Sequence, residues 1–151
     1  MNLNDYRFRS RWHVEGDRDA VFDALADLPS YPRWWPQVRA VEPVDEENAS
    51  VVARSFLPYA LRFTLTRETE NRETGVLQVR IGGDLDGWAR LTLYAGHQGC
   101  MLLYEQRVVV TRPLLRATAP FARPAFRWNH ALMMRAGERG LTDYVRRSVM
   151  P

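Results

Sequence analysis

The chain contains no lysine and only one cysteine, Cys100, among its 151 residues, and each scarcity removes a class of chemistry. Without lysine, lysine Schiff-base catalysis is excluded, and a lone cysteine cannot close an internal disulfide. Histidine is also scarce: His13, His97 and His130 lie far apart and show no metal-ligand spacing. We therefore expect no metal site.

Several longer sequence signals are missing as well. No apolar run approaches the roughly 18 residues that cross a bilayer, and the N-terminal segment lacks the apolar core of a signal peptide, so we expect a cytoplasmic protein. No glycine-rich phosphate-binding loop and no G-x-S-x-G motif occurs, so nothing predicts nucleotide binding or a serine nucleophile. We expect no cofactor.

The composition is that of a globular protein, with 46% hydrophobic and 26% charged residues. This length predicts one domain spanning residues 1–151. The net charge of +3 is uneven, because six arginines and no acid lie between Gln106 and Gly137, whereas acids cluster elsewhere. These acidic clusters interrupt the basic surface, so we do not expect nucleic-acid binding.

Alternating apolar and polar residues predict an antiparallel meander over much of the chain. Phe8, Trp12 and Val14, for example, alternate with arginines and His13. The predicted strands cover residues 6–14, 38–45, 50–57, 61–70, 75–82, 86–95 and 100–111. Between the first two strands, the spacing predicts a short helix over 18–28 and a turn or second small helix over 30–36.

The last third of the sequence has helical periodicity, from about Ala119 or Pro124 to Arg147. Prolines 120 and 124 fit only near the start of such a helix, or else they kink it. One face of the helix is predicted to point inward; it carries Phe126, Asn129, His130, Met133, Gly137, Gly140, Leu141 and Tyr144.

Three segments carry a family resemblance: FRSRWHVEGDRDAVFDALADLPSYPRWWPQV at 8–38, LPYALRFTL at 57–65 with GDLDGWARLTL at 83–93, and APFARPAFRWNHALMMRAGERGL at 119–141. The chain resembles the START-like, or polyketide cyclase/dehydrase (SRPBCC), superfamily. The resemblance implies an α+β helix-grip fold. In this fold a curved, seven-stranded antiparallel sheet wraps around a long C-terminal helix, and two short helices lie between strands 1 and 2.

The adjacent tryptophans Trp34 and Trp35 pose a packing question, because they lie between Pro32 and Pro36. The resemblance implies that Trp34 packs between the short helices and the sheet. Trp35 stands where the family often has a small polar residue, so we expect it to point toward solvent or the mouth of a pocket. The alternative is that both rings belong to the core.

The leading functional hypothesis is the binding of a hydrophobic small molecule, polyketide-like, aromatic or lipid, between the sheet and the long helix. The predicted ligand-binding residues are Trp35, Phe56, Phe63, Leu91, Tyr104, Phe126, Asn129, His130, Met133 and Tyr144. The alternative is a cyclase or dehydratase, for which His130 and Tyr104 are the candidate acid–base residues. His130 has a third, purely structural interpretation, in which it hydrogen-bonds a sheet carbonyl or Tyr104.

Two further features leave alternatives open. Gly137 and Gly140 either let the helix approach the sheet closely or leave room for a ligand. The segment from Arg112 to Leu132 mixes arginines with apolar residues, including Trp128. It predicts either a surface that docks on a membrane, a protein or a second copy, or a patch covered by the 112–120 loop. We expect a monomer or a homodimer.

Overall fold

A computed structural model describes residues 4–54, 59–111 and 119–149 of the chain, with side chains of the last range described from 123 to 148. Its seven strands are β1 (Asp5–Val14), β2 (Val38–Pro43), β3 (Asn48–Ala53), β4 (Leu61–Asn71), β5 (Val76–Gly83), β6 (Leu85–Gly96) and β7 (Gly99–Val110). Its helices are α1 (Arg18–Ala26), α2 (Tyr31–Trp34) and the long α3 (Ala119–Val149), and a 3₁₀ turn at Leu28–Ser30 precedes α2.

The strands form one antiparallel sheet in the order β1-β7-β6-β5-β4-β3-β2. Every neighbour except β1 and β7 is also consecutive in the chain, as expected for hairpin-connected strands. The sheet is curved, and α3 lies along its inner face, so the predicted α+β helix-grip fold is confirmed. The predicted strand bounds are close to those observed, although β3 ends at Ala53 and residues 55–58 lie outside the described ranges.

The two short helices follow from local capping chemistry. The carboxylate of Asp17 accepts a hydrogen bond from the backbone N–H of Ala20, which caps the start of α1. Pro29 then enters the 3₁₀ turn, and Pro32 lies in the first turn of α2, where its missing N–H costs nothing. This compact connection, which joins β1 to β2 in the chain, places Tyr31 and Trp34 in the hydrophobic core.

The inner face of the sheet carries the apolar side of the alternation. In β1, Tyr6, Trp12 and Val14 are buried, while Arg7, Arg9, Arg11 and His13 are exposed. In β7, Leu102 and Val108 are fully buried on the face that β7 presents to α3. Burial of these rows against the helix supplies most of the driving force for the fold.

The C-terminal half of α3 packs very closely on the tryptophan-rich end of the core. A Cβ atom added to Gly140 would lie 1.6 Å from the carbonyl oxygen of Trp34, and one added to Gly137 would lie 2.5 Å from the Trp12 ring. The two glycines therefore permit close approach, and they do not provide ligand space. The Trp35 indole N–H donates to the carbonyl of Met133 at 2.8 Å, which ties α2 to α3.

The order of the rings at this end corrects one expectation. Trp34 and Trp35 are 3% and 7% exposed, and their rings stack at 5.5 Å with an angle of 16°. Of the positions considered for Trp35, the solvent-facing one was therefore wrong: both rings belong to the core, and Trp35 also lines the cavity between the sheet and α3. It is buried because Tyr31, Trp12 and the Met133 carbonyl surround it.

No helix in the part of the chain that the structure describes is long and apolar enough to cross a membrane.

Candidate functional site

A partly enclosed cavity of about 160 Å³ lies between the sheet and the N-terminal half of α3. Its size resembles that of an engineered apolar cavity of roughly 150 Å³ that accepts benzene. All seven strands contribute to the wall, α3 contributes the cover, and the two short helices close one end. The cavity adjoins the close glycine contacts through Trp35, whose ring lines the cavity and lies against Gly137.

The sheet wall is apolar because alternation points every second residue inward. Leu65 and Phe63 on β4, Ile81 on β5 and Leu91 on β6 all line the cavity. These four residues occupy the apolar positions of the alternation in their strands. Of the predicted ligand-binding residues, the structure places Trp35, Phe63, Leu91, Tyr104, Phe126, Asn129, His130 and Met133 in the lining.

Two predicted contacts do not fall there. Tyr144 packs against the tryptophan-rich core instead, because it lies one helical turn beyond the close contact at Gly140. Phe56 lies outside the described residues. Residues 112–118, the first part of the basic segment from Arg112 to Leu132, also lie outside them; in its described part, Trp128 is 58% exposed.

The main polar feature of the cavity is Gln106, a side chain to which sequence reasoning assigned no role. It is 9% exposed and projects from β7 toward α3. Its Oε1 atom accepts a hydrogen bond from the Tyr104 hydroxyl at 2.7 Å and lies 3.0 Å from His130 Nε2. Because an amide oxygen can only accept, His130 carries its proton on Nε2. The sequence feature that could have identified Gln106 is its amide side chain, which stands alone among the mainly apolar inward-facing residues of β7.

His130 is held by stacking as well as by this hydrogen bond. Its ring lies 3.5 Å from the Phe8 ring, centroid to centroid, at an angle of 8°. Burial lowers the pKa of His130 from its usual value near 6.5 to about 3. Burial also raises the pKa of the Tyr104 hydroxyl well above its ordinary value. Near neutral pH both side chains are thus uncharged hydrogen-bonding groups.

This network should contribute to stability. We expect Gln106→Met to lower the free energy of unfolding by about 2 kcal/mol, because it leaves the buried Tyr104 hydroxyl and His130 N–H without their acceptor. Urea unfolding at neutral pH would measure the loss. Gln98→Met makes the same change at an exposed turn position and serves as the control. Equal unfolding midpoints for the two variants would contradict the expectation.

The charged lining residues lie on β4. Arg67 and Glu70 pair across from Val79 and Leu77, whose side chains line the cavity, so both face inward. A β-bulge between Arg67 and Thr69 produces this arrangement, since it places residues three apart on one face. Their side chains form an ion pair at 3.5 Å, and the Arg67 guanidinium also donates to the Ala26 carbonyl at the end of α1.

Sequence reasoning did not find this pair. Strict alternation would place Arg67 and Glu70 on opposite faces, and nothing in the local sequence announces the bulge. Near the same end of the cavity, the Tyr31 hydroxyl donates to the Leu25 carbonyl at 2.7 Å. Burial raises the pKa of Tyr31, and the nearby Arg67 partly opposes that rise.

Solved structures share this architecture. The chain superimposes on the Zhui aromatase/cyclase from Streptomyces sp. R1128 with a TM-score of 0.79 at 15% identity, covering 97% of this chain and 96% of that one. A protein from Thermus thermophilus gives 0.80 at 16% identity, with 96% and 100% covered. A START superfamily protein from Mycobacterium smegmatis gives 0.73 at 11% identity, with 95% and 99% covered.

At these identities the likeness establishes the fold alone. No curated protein matches the sequence significantly. A family model described as "Polyketide cyclase / dehydrase and lipid transport" matches residues 6–146, which is nearly the whole chain. This agrees with the resemblance found in the three sequence segments, and the chain belongs to the polyketide cyclase/dehydrase and lipid transport family.

Proposed function

We propose that the protein binds a hydrophobic small molecule in the cavity between the sheet and α3. The observation that carries the proposal is the cavity itself, which is mostly apolar and has four polar side chains, Tyr104, Gln106, Asn129 and His130, at the β7–α3 side. Burial of apolar ligand surface contributes roughly 25 cal/mol per Å² before the costs of association. The few polar groups fix the orientation of the ligand.

The aromatic and sulfur-containing lining suits a flat or flexible apolar ligand. We propose Trp35, Phe63, Leu91, Phe126 and Met133 as its apolar contacts. Met133 adapts its shape easily, because its side chain is unbranched and its sulfur is polarizable. The cytoplasmic location expected from the sequence is part of the same proposal, which describes an intracellular carrier or binding protein.

A cyclase or dehydratase that uses His130 and Tyr104 as acid and base is the second candidate, and the Zhui aromatase/cyclase shares its fold. The electrostatics do not favour it. A histidine with a pKa of about 3 is a weak base, and a tyrosine whose pKa burial has raised is a weak acid. Both groups fit better as hydrogen-bonding partners of Gln106.

Ligand binding can be tested with N-phenyl-1-naphthylamine, a neutral probe whose fluorescence rises in apolar surroundings. We expect the wild-type protein to bind it and Leu91→Trp to bind it about tenfold more weakly, because the indole would occupy the cavity. Thr92→Trp adds the same ring on the opposite face of β6 and should bind the probe like the wild type.

Two outcomes would contradict binding in this cavity: absence of probe binding, or equal binding by both tryptophan variants. Native mass spectrometry of freshly purified protein would identify any co-purified compound. Incubating that compound with the protein then separates the two candidates. If the wild-type protein converts the compound into a product and His130→Gln does not, the enzyme is favoured.

A further inference from the structure

The Gln106 side chain has an unused donor. Both hydrogen bonds that the structure shows at this side chain end on Oε1, from Tyr104 and His130. An amide oxygen has two lone pairs, so these two donors saturate it. The Nε2 amino group, with its two N–H bonds, remains for a molecule in the cavity that Gln106 lines.

A second amide at the cavity has an unused acceptor. Asn129 is 7% exposed, and its Oδ1 atom is buried without a hydrogen-bond partner among the described residues. Its Nδ2 group reaches only the sulfur of Met133, at 3.8 Å, and a thioether is a weak acceptor. An orphaned carbonyl oxygen in a buried place is costly, which points to a partner that arrives with the ligand.

No formal charge accompanies these two amides. Of the residues that line the cavity, Arg67 and Glu70 are the charged ones in the described part of the chain, and they pair with each other on β4. The groups around Gln106 are Tyr104, His130 and the Phe8 ring, all uncharged at neutral pH. An anionic group placed here would lose its hydration without gaining a cation.

We propose that Gln106 and Asn129 select ligands whose buried end carries an uncharged hydroxyl group, as in a phenol or an alcohol. A hydroxyl can accept from the Gln106 amide N–H and donate to the Asn129 carbonyl, which are the two unused functions. This inference rests on the proposed binding function and defines the chemical class of the ligand. The sites act by hydrogen bonding, so they select the polarity of the ligand rather than its size.

Four bicyclic probes of similar size test the proposal by isothermal titration calorimetry: naphthalene, 2-naphthol, 2-methoxynaphthalene and 2-naphthoate. For the wild type we expect 2-naphthol to bind about tenfold more tightly than naphthalene, 2-methoxynaphthalene to fall between them, and 2-naphthoate to bind most weakly. The ether can accept a hydrogen bond but cannot donate one, so the comparison separates the role of Gln106 from that of Asn129.

Two variants assign the effect to residues. Asn129→Leu should remove the advantage of 2-naphthol over 2-methoxynaphthalene while naphthalene binds as well as before. Gln106→Met should remove the advantage of 2-methoxynaphthalene over naphthalene and reduce that of 2-naphthol, whose hydroxyl can still donate to Asn129. If Gln106→Met is too unstable to titrate, Asn129→Leu carries the test alone, because it deletes a group that has no strong partner in the free protein.

The failures are distinguishable. If naphthalene binds and the hydroxyl adds nothing, or if 2-naphthoate binds as well as 2-naphthol, the selectivity is overturned and the binding function stands. If none of the four probes binds and N-phenyl-1-naphthylamine also fails, the proposed function is overturned together with the inference.

Discussion

Gly140→Ala should destabilise the protein by about 3 kcal/mol or more, which is at the upper end of what overpacking costs. The added Cβ would lie 1.6 Å from the carbonyl oxygen of Trp34, a backbone atom that no side-chain rotation can move. Either α3 or α2 must shift, and the stacked rings of Trp34 and Trp35 would move with it. Chemical denaturation would measure the loss.

Helix propensity alone would predict the opposite result, a Gly140→Ala protein that is more stable than the wild type. In an isolated helix, replacing glycine by alanine adds about 1 kcal/mol of stability, so a destabilised protein identifies the contact with Trp34 as the cause. Gly82→Ala is a suitable control, because its added Cβ meets only the Thr64 hydroxyl, at 3.3 Å. A Gly140→Ala protein as stable as the wild type would mean that α3 does not lie against Trp34 as described.

Lowering the pH should destabilise the protein through His130. The pKa of His130 is about 3 in the folded protein, below its usual value near 6.5, so between these pH values the unfolded chain binds a proton that the folded chain does not. The contribution to stability is therefore complete above about pH 6.5 and falls by about 1.4 kcal/mol per pH unit below it. By pH 4 the loss from this one group reaches about 3 kcal/mol.

The variant His130→Gln isolates this term from the other titrating groups. Its side chain still offers an N–H to Gln106 Oε1 but cannot be protonated in this range, so its unfolding free energy should depend less steeply on pH than that of the wild type. His97→Gln removes an exposed histidine from the turn between β6 and β7 and should follow the wild-type curve. Parallel curves for the wild type and His130→Gln from pH 7 to pH 4 would show that His130 is not buried as the structure places it.

Local pattern was sufficient for most of the fold. Alternation in β1, β4 and β7 assigned the inner faces, since a pleated strand alternates regardless of what covers it. Helical spacing from Phe126 to Leu141 likewise identified the buried side of α3. These inferences need only the periodicity of one element and the requirement to bury its apolar side.

Only some residues of the candidate site could be predicted from the periodicity of single elements. His130, Tyr104 and Asn129 were recognised because they interrupt apolar rows. Gln106 received no role, because its function depends on Tyr104 and His130 meeting at one atom. Contacts between different elements carry no periodic signal.

The sequence by itself determined an antiparallel meander followed by a long helix, the inward apolar face of most strands, and the absence of lysine chemistry and of internal disulfides. Only the tertiary structure decided that Gly137 and Gly140 serve close packing, that Trp35 turns inward, and that a bulge brings Arg67 and Glu70 onto one face. The reason is physical: periodicity is a property of one segment, whereas packing distance and hydrogen-bond geometry exist only between segments that the fold has brought together.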